Sequence, residues 1–123
     1  MARKQFEIWE VDGEEYKLKL KSSYVCKLEE KLNMSLMDVL GSARTTPSLS
    51  TMLLITHGAM KDWNSNIKLE DVKNIFDKYI DEGGSQLDFF SKTFMGIYQV
   101  SGFFTEAQNE QMEKRMEEAK EEM

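Results

Sequence analysis

Two hydrophobic periods run through the chain, and one gives way to the other near residue 21. From Gln5 to Lys21 apolar and polar positions alternate about Asp12-Gly13, the pattern of a β-hairpin. A three-residue loop, Val11-Asp12-Gly13, with Gly13 at positive φ, places Ile8 across from Tyr16 and Phe6 across from Leu18. It also sets Glu7 against Lys17, an opposite-charge cross-strand pair. A two-residue Asp12-Gly13 loop sets Ile8 against Lys17 and Phe6 against Lys19, so the three-residue register is expected. The apolar face is then Phe6, Ile8, Tyr16, Leu18 and Leu20, with Trp9 and Val11 on the solvent side. Two isolated strands are marginal in water, so this face needs a lid.

From Ser22 the spacing becomes helical. Ser22 or Ser23 can cap a first helix with Tyr24, Leu28 and Leu32 on one face, able to fold back as the lid, and Asn33 breaks it. Ser35 starts a short second helix, Leu36 to Leu40, stopped by Gly41. After a loop over Ser42 to Thr46, Thr46 or Ser48 caps a third helix, Leu49 to Lys61, with Pro47 in its first turn. Met52, Leu53, Thr56, Ala59 and Met60 mark it as largely buried. Asp62 to Asn66 is turn chemistry, and Leu69-Glu70-Asp71 opens a fourth helix with acids where the dipole favours them. Its stripe is Val72, Ile75, Phe76, Tyr79 and Ile80. Gly83-Gly84 ends it and Ser85 caps a long aromatic helix, with Leu87, Phe90, Phe94, Ile97, Ser101 and Phe104 on one stripe, widened by Phe89 and Tyr98. Gly96 and Gly102 imply close packing or, at Gly102, a break.

After Thr105 only Met112 and Met116 are bulky and apolar before the end, so this stretch reads as a solvated helix or as a segment that orders on a partner. The fold class expected is α+β, mostly α, with a hairpin over 5–21 packed on a bundle of about five helices. Residues 1–104 form a single globular domain and 105–123 a charged tail, helical or disordered.

Composition narrows the function more by exclusion than by assignment. The chain has 123 residues, 41% of them hydrophobic, enough for a core without disulfides, and its single cysteine, Cys26, reads as a small apolar residue. No secretory leader and no spanning apolar run is evident, so a soluble intracellular protein is expected. Net charge is −6, concentrated in the tail, where 7 acids face 3 bases. That balance disfavours nucleic acid, and Lys17, Lys19 and Lys21 read as a solvated sheet face opposite Glu7 and Glu15. His57 is the only histidine and lies inside the third helix, which excludes a histidine-based triad or multi-histidine metal site. The acids match caps and solvent faces, and neither a calcium loop nor a phosphate-binding glycine pattern occurs. No catalytic residue, cofactor or metal is therefore expected. Trp9 on the hairpin and Trp63 in its loop are either lids over apolar surface or contact anchors.

The hairpin Asp12-Gly13-Glu14-Glu15-Tyr16-Lys17-Leu18-Lys19-Leu20 leads at once into YVCKLEEKLNMSLMDVLG, then PSLSTMLLITHGAM, LEDVKNIFDKYIDEGG and the long aromatic helix. In this order and local pattern, over about residues 6 to 104, the chain resembles the tail assembly chaperones of long-tailed phages and prophages of Gram-positive bacteria. It is similar too to the small tail protein of gene transfer agents. The resemblance implies a non-catalytic protein of the host bacterial cytoplasm that binds the tape measure protein and keeps it soluble before tail tube polymerisation, and that is absent from the mature virion. It further implies a longer frameshifted form of the same chain as a possible partner, and a possible homo-oligomer. It supplies no residue motif for tape measure contact.

A holder of a long, associating helical protein needs apolar surface on a charged exterior, and nine methionines, among them Met34, Met37, Met52, Met60 and Met95, give adaptable packing, mostly in the core. The candidate partner-binding residues are Trp9, Trp63, Phe103, Phe104, Met112 and Met116, with the surface about Phe103 and Phe104 favoured. The rival readings are a structural virion component, such as a tail completion or head-tail joining protein, and a small helical DNA-binding regulator, which the charge opposes.

Overall fold

The hairpin sets the geometry of everything packed on it. In the computed structural model, which describes residues 4–41 and 46–122 and side chains as far as Arg115, strands β1 (Glu7–Val11) and β2 (Glu14–Leu18) pair antiparallel. Trp9 lies opposite Tyr16, Glu7 opposite Leu18 and Val11 opposite Glu14. The loop is therefore the two-residue one. Asp12 and Gly13 both take left-handed backbone, φ 53° and 77°, as a type I′ turn requires, and aspartate tolerates that region better than most residues.

This corrects the expected register, and the side chains of β1 change face as a result, while Leu18 and Leu20 keep the core face expected of them. Trp9 and Val11 are buried at 2% exposure with Leu18 and Leu20, whereas Ile8 is 40% exposed. The reason is one of apolar content. The two-residue register sinks an indole and a valine into the core and leaves only Ile8 beside Lys17 and a half-buried Phe6, which finds partners of its own in Trp63 and the Lys17 ammonium.

Among the described residues seven α-helices and one π-helical stretch follow: α1 (Ser22–Leu32), α2 (Leu36–Gly41), α3 (Leu49–Met60), α4 (Leu69–Asp81), α5 (Gln86–Asp88), the π stretch (Phe89–Phe94), α6 (Met95–Val100) and α7 (Glu106–Glu122). The class is α+β, mostly α, as expected. Cap chemistry accounts for many of the boundaries. Ser35, Ser48 and Ser85 oxygens accept from the amides of Asp38, Thr51 and Asp88, and the Lys68 amide donates to Asp71 Oδ2 at 2.9 Å. Helix α1 departs from this rule: its N-cap is Lys21, with no side-chain cap, rather than Ser22 or Ser23. Asn33 at φ 56° closes it and Gly83 at φ 104° follows α4. The loop expected over Ser42 to Thr46 is described only at Thr46.

The lid over the hairpin is built from α3, α4, the π stretch and α6, while α1 packs chiefly on α3. The first helix is thus not the lid the sequence suggested. Trp9 sits at the centre of an aromatic cluster, 5.0 Å from Phe89 and 5.9 Å from Tyr79, with Phe76 5.2 Å from Phe89. Such pairs add about 0.5–1.5 kcal/mol each beyond their buried area. The Trp9 Nε1 has no hydrogen-bond partner among the described residues. A second aromatic run, Phe94, Tyr98 and Phe103, lies at 5.2 and 4.6 Å centroid spacing, and the Tyr98 hydroxyl donates to Leu36 O at 2.8 Å.

The long aromatic helix is interrupted as well as ended. The π stretch widens the turn to five residues, so Phe89 and Phe94 share the core face with Ile97 and Tyr98, while Leu87 is 55% exposed. That corrects the expected stripe at Leu87. Gly96 is tight against the Glu7 side chain, and Gly102, at φ 89°, breaks the helix. Ile80 is also exposed, at 39%.

Candidate partner-binding surfaces

The turn after α3 is organised to hold an aromatic ring outward. Trp63 and Asn64 amides both bond back to Met60 O, the Ile67 amide donates to Asn64 O, and Lys61 Nζ reaches Ser65 O at 3.3 Å. His57, half-buried, holds the turn from behind, with Nε2 2.8 Å from Ile67 O; a carbonyl only accepts, so this nitrogen carries the proton. Trp63 consequently stands 40% exposed, edge-on to Phe6 at 5.8 Å. Beside it lies a groove of about 480 Å³ between β2, the turn and α4, lined by Tyr16, Trp63, Asn66, Ile67, Asp71 and Ile75 among others. Partial burial, then the Glu14 carboxylate to which its hydroxyl donates at 3.0 Å, push the Tyr16 phenol above its ordinary pKa. The groove therefore offers an aromatic rim, neutral hydroxyl and amide groups, and one carboxylate.

The remaining candidates are dispersed. Trp9 is not a contact residue: the two-residue loop places it in the core at 2% exposure. Phe103 and Phe104 are half-buried against the core, and Phe103 borders a small recess of about 220 Å³ with Val25, Cys26 and Gly102. Cys26, read as a small apolar residue, is exposed there. Met112 is half-buried on α7, and the Met116 side chain lies outside the described residues. Among the methionines expected in the core, Met52, Met60 and Met95 are buried but Met34 and Met37 are 37% and 46% exposed.

A third concavity went unnoticed in the sequence. Helix α7 begins with a reciprocal cap in which the Thr105 amide donates to Gln108 Oε1 at 2.8 Å and the Gln108 amide to Thr105 Oγ1 at 3.2 Å. This cap sets Asn109 against α6, where it is 7% exposed and its Nδ2 donates to Gln99 O and Glu106 Oε1, each at 3.3 Å. Between α7, Val100 and β1 a recess of about 260 Å³ remains, rimmed by Glu7, Glu106, Glu110 and Glu113. The only available signal was Thr105-x-x-Gln108. Among the described residues no three His, Cys, Asp or Glu side chains are grouped to hold a metal ion, and no helix is long and apolar enough to cross a membrane.

The fold and these surfaces belong to a protein for which a family model, a family of unknown function (DUF6096), matches residues 3–122; the chain belongs to that family. No curated protein and no solved structure matches it.

Proposed function

We propose that the chain is a tail assembly chaperone of a long-tailed phage or prophage, which binds the tape measure protein in the host bacterial cytoplasm and keeps it soluble before tail tube polymerisation, without catalysis and without entering the mature virion. The observation that carries the reading is the order of elements, a tight Asp12-Gly13 hairpin followed at once by its helices, which is the pattern of the resemblance. Trp63, held outward at the rim of the β2–α4 groove, supports it by offering an apolar anchor of the kind that dominates binding energy at interfaces. A surface rich in carboxylates keeps a complex with an associating helical partner in solution.

The test is co-expression with a tape measure protein, a very long helical chain. The expected result is that the chain co-purifies with that protein and raises its soluble fraction, that Trp63→Ala weakens the capture, and that purified particles lack the chain. Stoichiometric presence in mature particles would assign it instead to the virion as a structural component. Capture unchanged by Trp63→Ala would remove the groove from the interface, and failure to solubilise the long protein would overturn the chaperone.

A further inference from the structure

We infer that α7 is a strap that closes on α6 and opens from it as a unit, swinging about the junction of Phe104 and Thr105, and that its open form uncovers the face of α6 at Gln99 and Val100. The chain up to that junction is anchored. Ser101 Oγ accepts from the Leu20 amide at 2.9 Å, the Phe103 ring lies 4.6 Å from Tyr98, and Phe104 packs on the core. Beyond it the attachment thins abruptly. Over residues 106–115 every side chain except Asn109 and Met112 is exposed, and α7 has no broad contact with any other single element. The helix needs no neighbour to persist. Its cap is internal, the Thr105 and Gln108 amides each donating to the other's side chain, the Asn109 amide closes on Thr105 O at 2.9 Å, and Glu110 stands one turn before Lys114. At 17 residues it also exceeds the roughly 12–15 below which isolated helices are marginal in water. It can therefore leave α6 as an intact helix.

The closed form is weakly held. Asn109, 7% exposed, donates through Nδ2 to Gln99 O at 3.3 Å, but in the closed form its Oδ1 is buried with no hydrogen-bond partner among the described residues. A neutral hydrogen bond favours closure by about 2- to 10-fold, whereas a buried acceptor left unbonded opposes it by about 5- to 150-fold. Water reaches that oxygen only once the strap opens, so the amide adds little to closure overall. Packing does not make up the difference. Between α7, Val100 and β1 about 260 Å³ stays unfilled, lined by Glu7, Glu106, Glu110 and Glu113 with Lys4 the one basic residue among them, so neither dispersion nor charge draws the two surfaces together. What keeps the strap closed is the half-burial of Met112 and the cover it gives to Val100. The exchange stands apart from the chaperone reading, since it belongs to the chain alone and to a face that shares no lining residue with the Trp63 groove.

The test uses the 123-residue chain carrying Cys26→Ser, since that thiol is exposed, with one buried reporter, Val100→Cys under the strap or Ile55→Cys in the core, and follows alkylation by iodoacetamide. Val100→Cys should react at least about tenfold faster than Ile55→Cys, yet more slowly than in the denatured chain. Asn109→Asp, which removes the donor to Gln99 O, should speed Val100→Cys by a further factor of about ten and leave Ile55→Cys unchanged. Equal rates at the two reporters, or the same response of both to Asn109→Asp, would make α7 part of the global unit and overturn the strap. A Val100→Cys rate equal to that of the denatured chain would mean that the strap never closes, and would overturn it equally. A second measurement avoids the reporters. With the methionine methyls isotopically labelled, Asn109→Asp should move the Met112 resonance towards its position in a free peptide and leave the buried Met52 and Met60 unmoved. Movement of all three, or of none, would overturn the proposal.

Discussion

The hairpin and α7 are both peripheral to the central helices, and they are attached by opposite means. The hairpin is fixed by burial: Trp9, Val11, Leu18 and Leu20 lie among α3, α4 and the π stretch. Helix α7 is held by much less: the Thr105–Gln108 cap and the Asn109–Glu106 bond lie within the helix and its cap, so its polar tie to α6 is the bond from Asn109 Nδ2 to Gln99 O, beside a half-buried Met112. Removal of apolar area is worth about 25 cal/mol per Å², whereas a net hydrogen bond is worth about 0.5–1.5 kcal/mol, so the first attachment belongs to the global stability and the second can release on its own.

The largest test of that contrast lies in the aromatic cluster. Phe89→Ala leaves a void beneath Trp9 and Phe76, and chemical denaturation should register a loss of about 3–5 kcal/mol in one cooperative transition. Tyr98→Phe should cost about 1–3 kcal/mol, because Leu36 O stays buried without its donor. It should also change the alkaline limb of the stability curve. Burial, reinforced by Glu29, holds the Tyr98 phenol above its ordinary value of 10.0. Its contribution is complete below that value and is lost as pH rises towards the folded pKa, since the unfolded chain releases the proton first. Denaturation followed upward from pH 10 should therefore be less steep in the Phe variant.

A smaller effect joins the two regions. Gly96→Ala drives a methyl into the Glu7 side chain, which otherwise accepts from the Ile8 amide at 2.9 Å. Displacing that carboxylate offsets the roughly 1 kcal/mol that alanine contributes within a helix, so the single variant should be close to neutral. With Glu7→Ala already present the same substitution should stabilise by up to about 1 kcal/mol, and a double-mutant cycle reads the difference. The smallest effect is expected from Asn109→Ala, under about 1 kcal/mol by global denaturation. Amide exchange along α7 should nevertheless rise while that of the hairpin stays unchanged. Equal acceleration in both would mean that the two attachments form one cooperative unit.

Helix existence and most caps were legible because they rest on local chemistry: Ser35, Ser48 and Ser85 oxygens bond amides three residues away, and Gly102 breaks its helix at positive φ. The hairpin register was not, because both loops suit Asp12-Gly13 and the choice between them is made by Phe89, Tyr79 and Phe76, far along the chain. The Leu87 stripe failed for a related reason. A π turn inserts one residue into a helical count that assumes a period of 3.6, and tertiary packing of Phe89 selects it. Of the candidate contact residues, Trp63 was legible because turn chemistry around it is local, whereas Trp9 inherited the register error. The acidic recess was invisible, since Glu7 and Glu113 meet only through the break at Gly102.

Just past β2, two consecutive amides are stitched to distant parts of the molecule. Lys19 N–H donates to Ala59 O at 3.0 Å, and Leu20 N–H donates to Ser101 Oγ at 2.9 Å across a separation of 81 residues. During synthesis this segment therefore waits for the 81 residues that follow it before it can close the second of these bonds, and until then its indole and leucines are not fully covered. Such long-range closure slows folding, so a nascent chain of this protein is exposed to rescue or misassembly while that intervening stretch is being made.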